Sequence, residues 1–301
     1  MVGVIHDAEA VCRICSGGLR PTRVAEPMER RAGRSVLPAD MYTLGVCSRC
    51  GLAQVNFSVD QSYLDESYAA ESEALIREIT GCAPSELSAA RTPEFARVLD
   101  LVARFVPADT SKGMSLLDVG CQDGRLLELA EARGFQAVGL EPSIEYAEEA
   151  RRRLPTADIV TGPLGTPTPR QADVVVFLET LEHIADPRAA LTQIKALGRP
   201  NGLVVISVPS WAYFKVKSLV FRLLRRPMSQ IHLHITCFSR RSMYEVGNLV
   251  GGKVEYLEPT GWHGPLRFAN KIVRRASQLR IPFLRDFAPS LTVVIRTAAS
   301  G

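Results

Sequence analysis

The chain has 301 residues, of which 46% are hydrophobic and 23% charged, which is the composition of a globular protein with a sizeable core. Its formal net charge of +4 is far from that of a histone or a ribosomal protein. No apolar run approaches the roughly 20 residues that span a bilayer, and residues 1–10 lack the regions of a signal peptide. We therefore expect a cytoplasmic protein, whose seven cysteines are ligands or core residues rather than disulfides.

Two C-x-x-C pairs near the N-terminus predict a metal site. Zinc takes four ligands in a tetrahedron, and two intervening residues let both thiolates of a pair face one ion. The surrounding segment is too poor in apolar periodicity to fold on a core of its own. We predict a zinc-binding module over residues 1–64 with a structural zinc; a redox dithiol and buried free thiols are the alternatives. The predicted ligands are Cys12, Cys15, Cys47 and Cys50.

The pattern then becomes helical. It predicts a helix over 65–79, a linker over 84–91 and a second helix over 93–106, so residues 65–110 form a helical connection. From residue 111 short apolar strands alternate with helices, which is typical of an α/β fold with a mostly parallel sheet. The predicted strands are 115–119, 136–140, 173–178, 203–208, 253–258 and 291–296, and the predicted helices are 126–133, 143–153 and 187–197.

A glycine-containing turn follows the strand at 115–119. Gly120 and Gly124 let the backbone approach a ligand closely, and Glu141 ends the next strand about twenty residues on. A carboxylate at that point accepts hydrogen bonds from both hydroxyls of a ribose. The pattern indicates a nucleoside-containing cofactor.

The runs LLDVGCQDGRLLELAEARGFQAVGLEPS and DVVVFLETLEHIADP resemble the motifs of class I S-adenosylmethionine-dependent methyltransferases. The resemblance implies a Rossmann-like sheet with an antiparallel last strand over 111–301, with insertions near 210–232 and 262–289. Gln122 stands where the family usually has glycine, so the backbone of the turn should have less conformational freedom. The implied cofactor-binding residues are Asp118, Gly120, Cys121, Gln122, Gly124, Glu141, Pro142 and Leu178, with Asp118 near the methionine amino end and Glu141 at the ribose.

A second resemblance concerns the N-terminal runs CRICSGGLR and YTLGVCSRCGLAQV. They are similar to the zinc-binding head of sugar-nucleotide C-methyltransferases and of relatives in polysaccharide and natural-product gene clusters. Those C-methyltransferases carry a further C-terminal sugar-binding domain, which residues 1–301 do not include. We therefore expect O-methylation of a sugar, glycan or glycosylated natural product. The alternatives are C-methylation of a nucleotide sugar, a zinc-ribbon RNA methyltransferase or RNA-binding protein, and a non-catalytic scaffold.

Two carboxylates and an imidazole follow the strand at 173–178. If that segment opens a helix, Glu179, Glu182 and His183 share one face. With His234, or alternatively His232, they resemble the E-x-x-E-H motif and later histidine of magnesium-dependent O-methyltransferases, in which a magnesium ion holds the acceptor hydroxyl. The alternatives are a metal-free site with His183 or His234 as base, and a structural role.

Two segments, 215–226 and 267–285, mix aromatic residues with cations. They are expected to meet an anionic acceptor or a membrane surface, or to be solvated helices. Nucleic acid is not expected as a partner, because the cysteine segment lacks a basic stripe. The oligomeric state is left open.

Overall fold

A computed structural model describes residues 11–23, 43–55, 60–61, 64, 84–106, 113–225, 234–260 and 288–299. Two sheets organise these residues, one of seven strands and one of four. Among them, no helix combines the length and the hydrophobicity that a bilayer crossing requires.

The seven-stranded sheet begins after a long helix, α1 (Pro84–Ala103), and alternates strands with helices. Its elements are β4 (Ser115–Val119), α2 (Arg125–Glu131), β5 (Gln136–Glu141), α3 (Ile144–Arg153), β6 (Asp158–Thr161), β7 (Ala172–Leu178), a 3₁₀ helix (Leu181–His183), α4 (Pro187–Leu197), β8 (Gly198–Pro209), α5 (Trp211–Leu223), α6 (Arg240–Val250), β10 (Gly252–Thr260) and β11 (Ser290–Thr297).

The strand order is β10-β11-β8-β7-β4-β5-β6, with β11 antiparallel to both neighbours and the pairs among β4 to β8 parallel. The predicted mostly parallel sheet with an antiparallel last strand is therefore confirmed. The order reverses at β4 and β7, and in open α/β sheets the carboxyl ends of the strands at such a point form the ligand crevice.

Local sequence signals explain several boundaries. β4 and β7 are buried runs rather than alternating ones, as expected for strands covered on both faces. The Asp186 side chain accepts hydrogen bonds from the backbone N–H groups of Arg188 and Ala189, which starts α4 at the predicted residue. Ser143 caps α3 in the same way through the N–H of Tyr146.

One predicted boundary is wrong. Residues 84–91 are not a linker, because α1 begins at Pro84 and continues through Pro93. The apolar face of α1, including Phe95 and Leu99, packs in one cluster with Leu126 and Leu127 of α2. That burial outweighs the backbone hydrogen bond lost at the internal proline. The strand β6 and the helix α6 were not predicted, and the predicted helix over 65–79 lies outside the described residues.

The smaller sheet has the order β1-β2-β3-β9 and is antiparallel throughout. Its strands are β1 (Leu19–Arg23), β2 (Thr43–Cys47), β3 (Ala53–Val55) and β9 (Thr236–Cys237). The last strand comes from far along the chain, beyond the predicted end of the zinc module at residue 64. Cys12, Ile14 and Leu52 also share a hydrophobic cluster with Leu117 and Phe177 of the large sheet. The cysteine-rich segment and the α/β unit are thus packed against each other.

Candidate functional site

The glycine turn after β4 has left-handed backbone at three positions. Gly120 has φ +80°, Gly124 φ +77° and Gln122 φ +48°. A Cβ at Gly120 would lie 2.9 Å from Oγ1 of Thr180, so that position excludes a side chain. Gln122 adopts the conformation that glycine would adopt more readily, which stores backbone strain beside the predicted cofactor site.

Glu141 at the end of β5 is held in a fixed orientation. Its Oε2 accepts a hydrogen bond from the N–H of Gln122 at 2.9 Å, and its Oε1 accepts one from the N–H of Ser143 at 2.9 Å. The residue is only 5% exposed, and burial raises the pKa of its carboxyl, whereas the two N–H bonds lower it. Each oxygen keeps a second lone pair, so the oriented carboxylate fits the two hydroxyls of a ribose.

Asp118 lies in β4, beside the same turn. Burial raises the pKa of its carboxyl from 3.8 to about 7, although the nearby charge of Arg91 lowers it. Of the other predicted cofactor residues, Cys121 is buried in the turn after β4, Leu178 is buried at the end of β7, and Pro142 is exposed after β5. All the predicted cofactor residues therefore lie on the turn or at the carboxyl ends of β4, β5 and β7.

Helix α1 covers this turn and contributes residues that the sequence patterns did not indicate. Ser88 donates a hydrogen bond to Oδ1 of Asp123 at 2.7 Å, and Arg153 reaches the other oxygen at 3.0 Å. Arg91 pairs with Glu94 at 3.2 Å, and its Nη2 is buried without a hydrogen-bond partner among the described residues. Only continuation of the helical pattern ahead of Pro93 could have located Arg91 from the sequence.

Three of the four residues of the predicted magnesium site meet at the carboxyl end of β7. The 3₁₀ helix carries Glu182 and His183, and His234 approaches from the segment before β9. The Nε2 atoms of both histidines lie 3.7 Å from Oε1 of Glu182, and their ring centroids are 4.7 Å apart. These three residues place their ligand atoms within 4.8 Å of one another, a spacing that a single metal ion can bridge.

Glu179 occupies a different position from the one expected. It has φ +50° and precedes a 3₁₀ turn, so the α-helical face predicted for Glu179, Glu182 and His183 does not form. Its Oε1 accepts a hydrogen bond from Ser207 of β8 at 2.9 Å. Glu179 therefore lies outside the ligand cluster, but its charge is close enough to raise the pKa of Glu182. His232 lies outside the described residues.

Burial shifts the pKa values of all three residues of this cluster. Glu182 is fully buried, and burial, followed by the Glu179 carboxylate, raises its pKa well above the ordinary value. Burial also lowers the pKa of His183, well below its usual range, and that of His234, to about 4 with a contribution from the charge of Lys217. Both imidazoles are therefore neutral at physiological pH, which is the form that ligates metals or acts as a base.

The carboxylate oxygens of Glu182 test whether the cluster fits the expected magnesium ion. Neither carboxylate oxygen has a hydrogen-bond partner among the described residues, although burial of such a group is costly. A divalent cation between Glu182 and the two neutral imidazoles would remove that cost. The residues present fit a divalent metal.

The basic segment at 215–226 forms part of α5 and its end. Lys217 approaches His234, and burial lowers the pKa of its ammonium group. The opposite side of α5 leaves Leu219 and Leu223 exposed, at 51% and 75%. Residue 226 and the segment 267–285 lie outside the described residues.

The four predicted zinc ligands converge. Their sulfurs all lie within 4.8 Å of one another, with Cys12 to Cys50 and Cys15 to Cys47 each at 3.5 Å. A tetrahedral zinc with Zn–S bonds of about 2.3 Å separates its sulfurs by about 3.8 Å. Backbone N–H groups of Arg49 and Cys50 point at the sulfur of Cys47, at 3.4 Å each, which stabilises a thiolate. The site fits zinc and leaves no open coordination position.

Cys47→Ser tests this site. We expect the wild-type chain to carry one zinc and the variant to lose it together with part of its folding free energy, because a structural zinc stabilises only the folded state. Cys121→Ser, a matched change at a buried cysteine outside the cluster, should keep its zinc. Elemental analysis measures the zinc content, and thermal unfolding measures the stability. A wild-type protein that carries no zinc and unfolds at the same temperature as Cys47→Ser would refute the site.

The methyltransferase-domain family matches residues 90–256, more than half of the chain. The ubiquinone biosynthesis O-methyltransferase of Leptothrix cholodnii is 33% identical to this chain over 103 residues, and that of Aeromonas salmonicida is 35% identical over 102 residues. Each match covers 32% of this chain. The matched region spans only 44% and 43% of those two enzymes.

A longer match covers more of the chain. An uncharacterized 37.1 kDa protein in a Streptomyces fradiae transposon is 26% identical over 233 residues, 68% of this chain and 67% of that protein. Among solved structures, magnesium protoporphyrin IX methyltransferase from Synechocystis with bound SAH has a TM-score of 0.57 at 12% identity, covering 79% of this chain and 100% of that one. The structural likeness shows a shared fold.

Proposed function

The chain belongs to the methyltransferase-domain family, and from that premise we propose that it methylates a hydroxyl oxygen of a sugar, glycan or glycosylated natural product. It is an S-adenosylmethionine-dependent methyltransferase. The observation that carries the proposal is the buried cluster of Glu182, His183 and His234, which lies at the carboxyl end of β7 beside the cofactor turn.

On the cofactor side, we assign Glu141 to the ribose hydroxyls and the turn at Gly120 to the backbone approach. Asp118 faces the methionine ammonium group in this assignment, and Arg91 binds the methionine carboxylate through the guanidinium edge that has no partner among the described residues. When bound, the cofactor would supply a methyl group on a positively charged sulfur, so that an acceptor oxygen could attack the methyl carbon with the neutral thioether as leaving group.

Cofactor affinity should depend on pH through Asp118. Its carboxyl has a pKa raised to about 7, so it is mostly protonated at pH 6 and ionised at pH 8. Because only the ionised form attracts the ammonium group, binding of S-adenosylhomocysteine should tighten about tenfold over that range. Asp118→Asn should bind weakly at both values with a much smaller change. Calorimetry measures this, and an equally steep change in the variant would exclude Asp118 as the titrating group.

On the acceptor side, the cluster has to orient a hydroxyl and favour loss of its proton. A divalent cation held by Glu182, His183 and His234 would supply positive charge that stabilises a developing alkoxide. Glu179 lies outside this ligand set, and its raised pKa makes its carboxylate the neighbouring group that can accept the released proton.

The acceptor class rests on chemistry near the site and on the N-terminal resemblance. The cysteine-rich segment is similar to the head of enzymes acting on nucleotide sugars, and Lys217 and Arg222 of α5 provide cations for an anionic acceptor. The matched ubiquinone enzymes are O-methyltransferases by name, which favours oxygen over carbon.

The direct experiment uses S-adenosylmethionine with a ¹³C-labelled methyl group and metabolite, glycan and RNA fractions from cells that lack the gene. We expect a product heavier by one methyl group whose labelled carbon has the NMR shift of a methyl ether on a sugar ring. A labelled C-methyl signal would contradict oxygen transfer, and a labelled RNA fraction would contradict the acceptor class.

A further inference from the structure

The segment from 234 to 239 lies between the two sheets and is hydrogen bonded to both. We infer that the four-cysteine module positions His234, so that a metal bound by the cysteines would hold one ligand of the acceptor site in place. This rests on the proposed function, because it takes His234 as part of that site.

On the module side, the contacts form a continuous set. Thr236 and Cys237 pair with Gln54 and Ala53 as the edge strand of the small sheet. The N–H of Val55 donates to the carbonyl of Ile235 at 3.0 Å, directly after His234. The backbone that leaves His234 is therefore fixed by β3, which begins three residues after Cys50.

A second contact joins the same segment to the cysteine knuckle itself. The hydroxyl of Ser239 donates to the carbonyl of Cys50 at 2.6 Å and accepts from the N–H of Ser242 at 3.1 Å. Gly51 has φ +72°, and a Cβ there would lie 3.0 Å from that hydroxyl, so the knuckle and Ser239 are in close contact. A change in the shape of the knuckle is transmitted to residue 239.

On the catalytic side, the segment is tied to the α/β unit. The N–H of Ile235 donates to the carbonyl of Glu182 at 2.9 Å, and the N–H of Phe238 donates to that of Pro209 at 2.9 Å. The N–H of Ile235 thus donates to Glu182, which faces His234, and its carbonyl accepts from Val55 of the module. The 3.7 Å approach of His234 to Glu182 depends on both sides of this bridge.

The module is also anchored beside the 3₁₀ helix. Arg13, next to Cys12, donates from its guanidinium to the carbonyl of Ala185 at 3.2 Å, and its N–H donates to Oε1 of Gln54 at 2.9 Å. Gln54 is 4% exposed and pairs with Thr236, so it joins the first knuckle to the strand that follows His234. Both C-x-x-C pairs consequently contribute to the position of this histidine.

Ser239→Asp separates positioning from folding. Aspartate keeps the acceptor that caps α6 but, when ionised, cannot donate to the Cys50 carbonyl. We expect Mn²⁺ affinity, measured by electron paramagnetic resonance, to fall at least about tenfold, the lower end of the loss that follows removal of a group that orients a metal ligand. Affinity for S-adenosylhomocysteine should stay within about twofold, because the cofactor residues lie on the other sheet. Ser48→Asp, which breaks an exposed bond to the Gly18 carbonyl within the module, should change neither value.

Imidazole ¹⁵N NMR of histidine-labelled full-length protein gives the independent measurement, with the His234 signal assigned by its loss in His234→Asn. The signal should move in Ser239→Asp and not in Ser48→Asp. If the wild-type protein binds no Mn²⁺, the metal site of the proposed function is wrong. A shift of the His234 signal in Ser239→Asp would still support the role of the module in positioning His234. An unmoved signal, or an equal loss of S-adenosylhomocysteine affinity, overturns it.

Discussion

Glu182→Gln should reduce methyl transfer at least about 100-fold while leaving binding of S-adenosylhomocysteine unchanged. Removal of one directly interacting group from a buried catalytic site costs on the order of 3 kcal/mol of transition-state stabilisation. The amide has the shape of the protonated acid, the form that burial and Glu179 favour in the absence of a cation, so the variant should fold. What it loses is the negative charge that a divalent cation requires between the two neutral imidazoles.

The measurement is transfer of labelled methyl into the acceptor extract, together with Mn²⁺ affinity. Glu128→Gln makes the same change of charge on α2, where the side chain is 48% exposed, and should retain wild-type values. If Glu182→Gln kept activity within about threefold, the cluster would be a metal-free site with a histidine base instead.

Glu141→Ala should weaken S-adenosylmethionine binding by at least about 100-fold. Two charge-assisted hydrogen bonds to ribose hydroxyls are lost, each worth about 1.5–3 kcal/mol, and so are the bonds that fix the N–H groups of Gln122 and Ser143. Calorimetry measures the affinity. Glu145→Ala removes an exposed carboxylate from the first turn of α3 and serves as the control. A loss below about tenfold, 1.4 kcal/mol, would contradict the assignment of Glu141 to the ribose.

Much of this fold follows from local signals in the sequence. The runs at β4, β5 and β7 are strongly apolar, and α4 has both a cap and a proline at its start, so their positions were predicted closely. The glycine turn and Glu141 were predictable because a nucleoside cofactor requires a close backbone approach and a carboxylate at a fixed distance along the chain.

Other features depend on tertiary contacts. Helix α1 includes an internal proline and polar first turns, so its local pattern suggests a later start than packing on α2 produces. The left-handed backbone at Glu179 replaces the expected α-helical start and moves its carboxylate toward Ser207. The pairing of β9 with β3 joins residues 53 and 237, and a two-residue strand carries no periodicity that could reveal such a partner.

The central claim is that a divalent cation at Glu182, His183 and His234 activates the acceptor hydroxyl, and metal depletion tests it most directly. Methyl transfer into the acceptor extract is measured after exhaustive chelation under conditions that retain zinc at the four cysteines, checked by elemental analysis, and again after Mg²⁺ is added. We predict loss of activity on chelation and recovery with Mg²⁺ in the wild-type protein, with no recovery in Glu182→Gln. Full activity of the metal-depleted wild-type protein would contradict the claim.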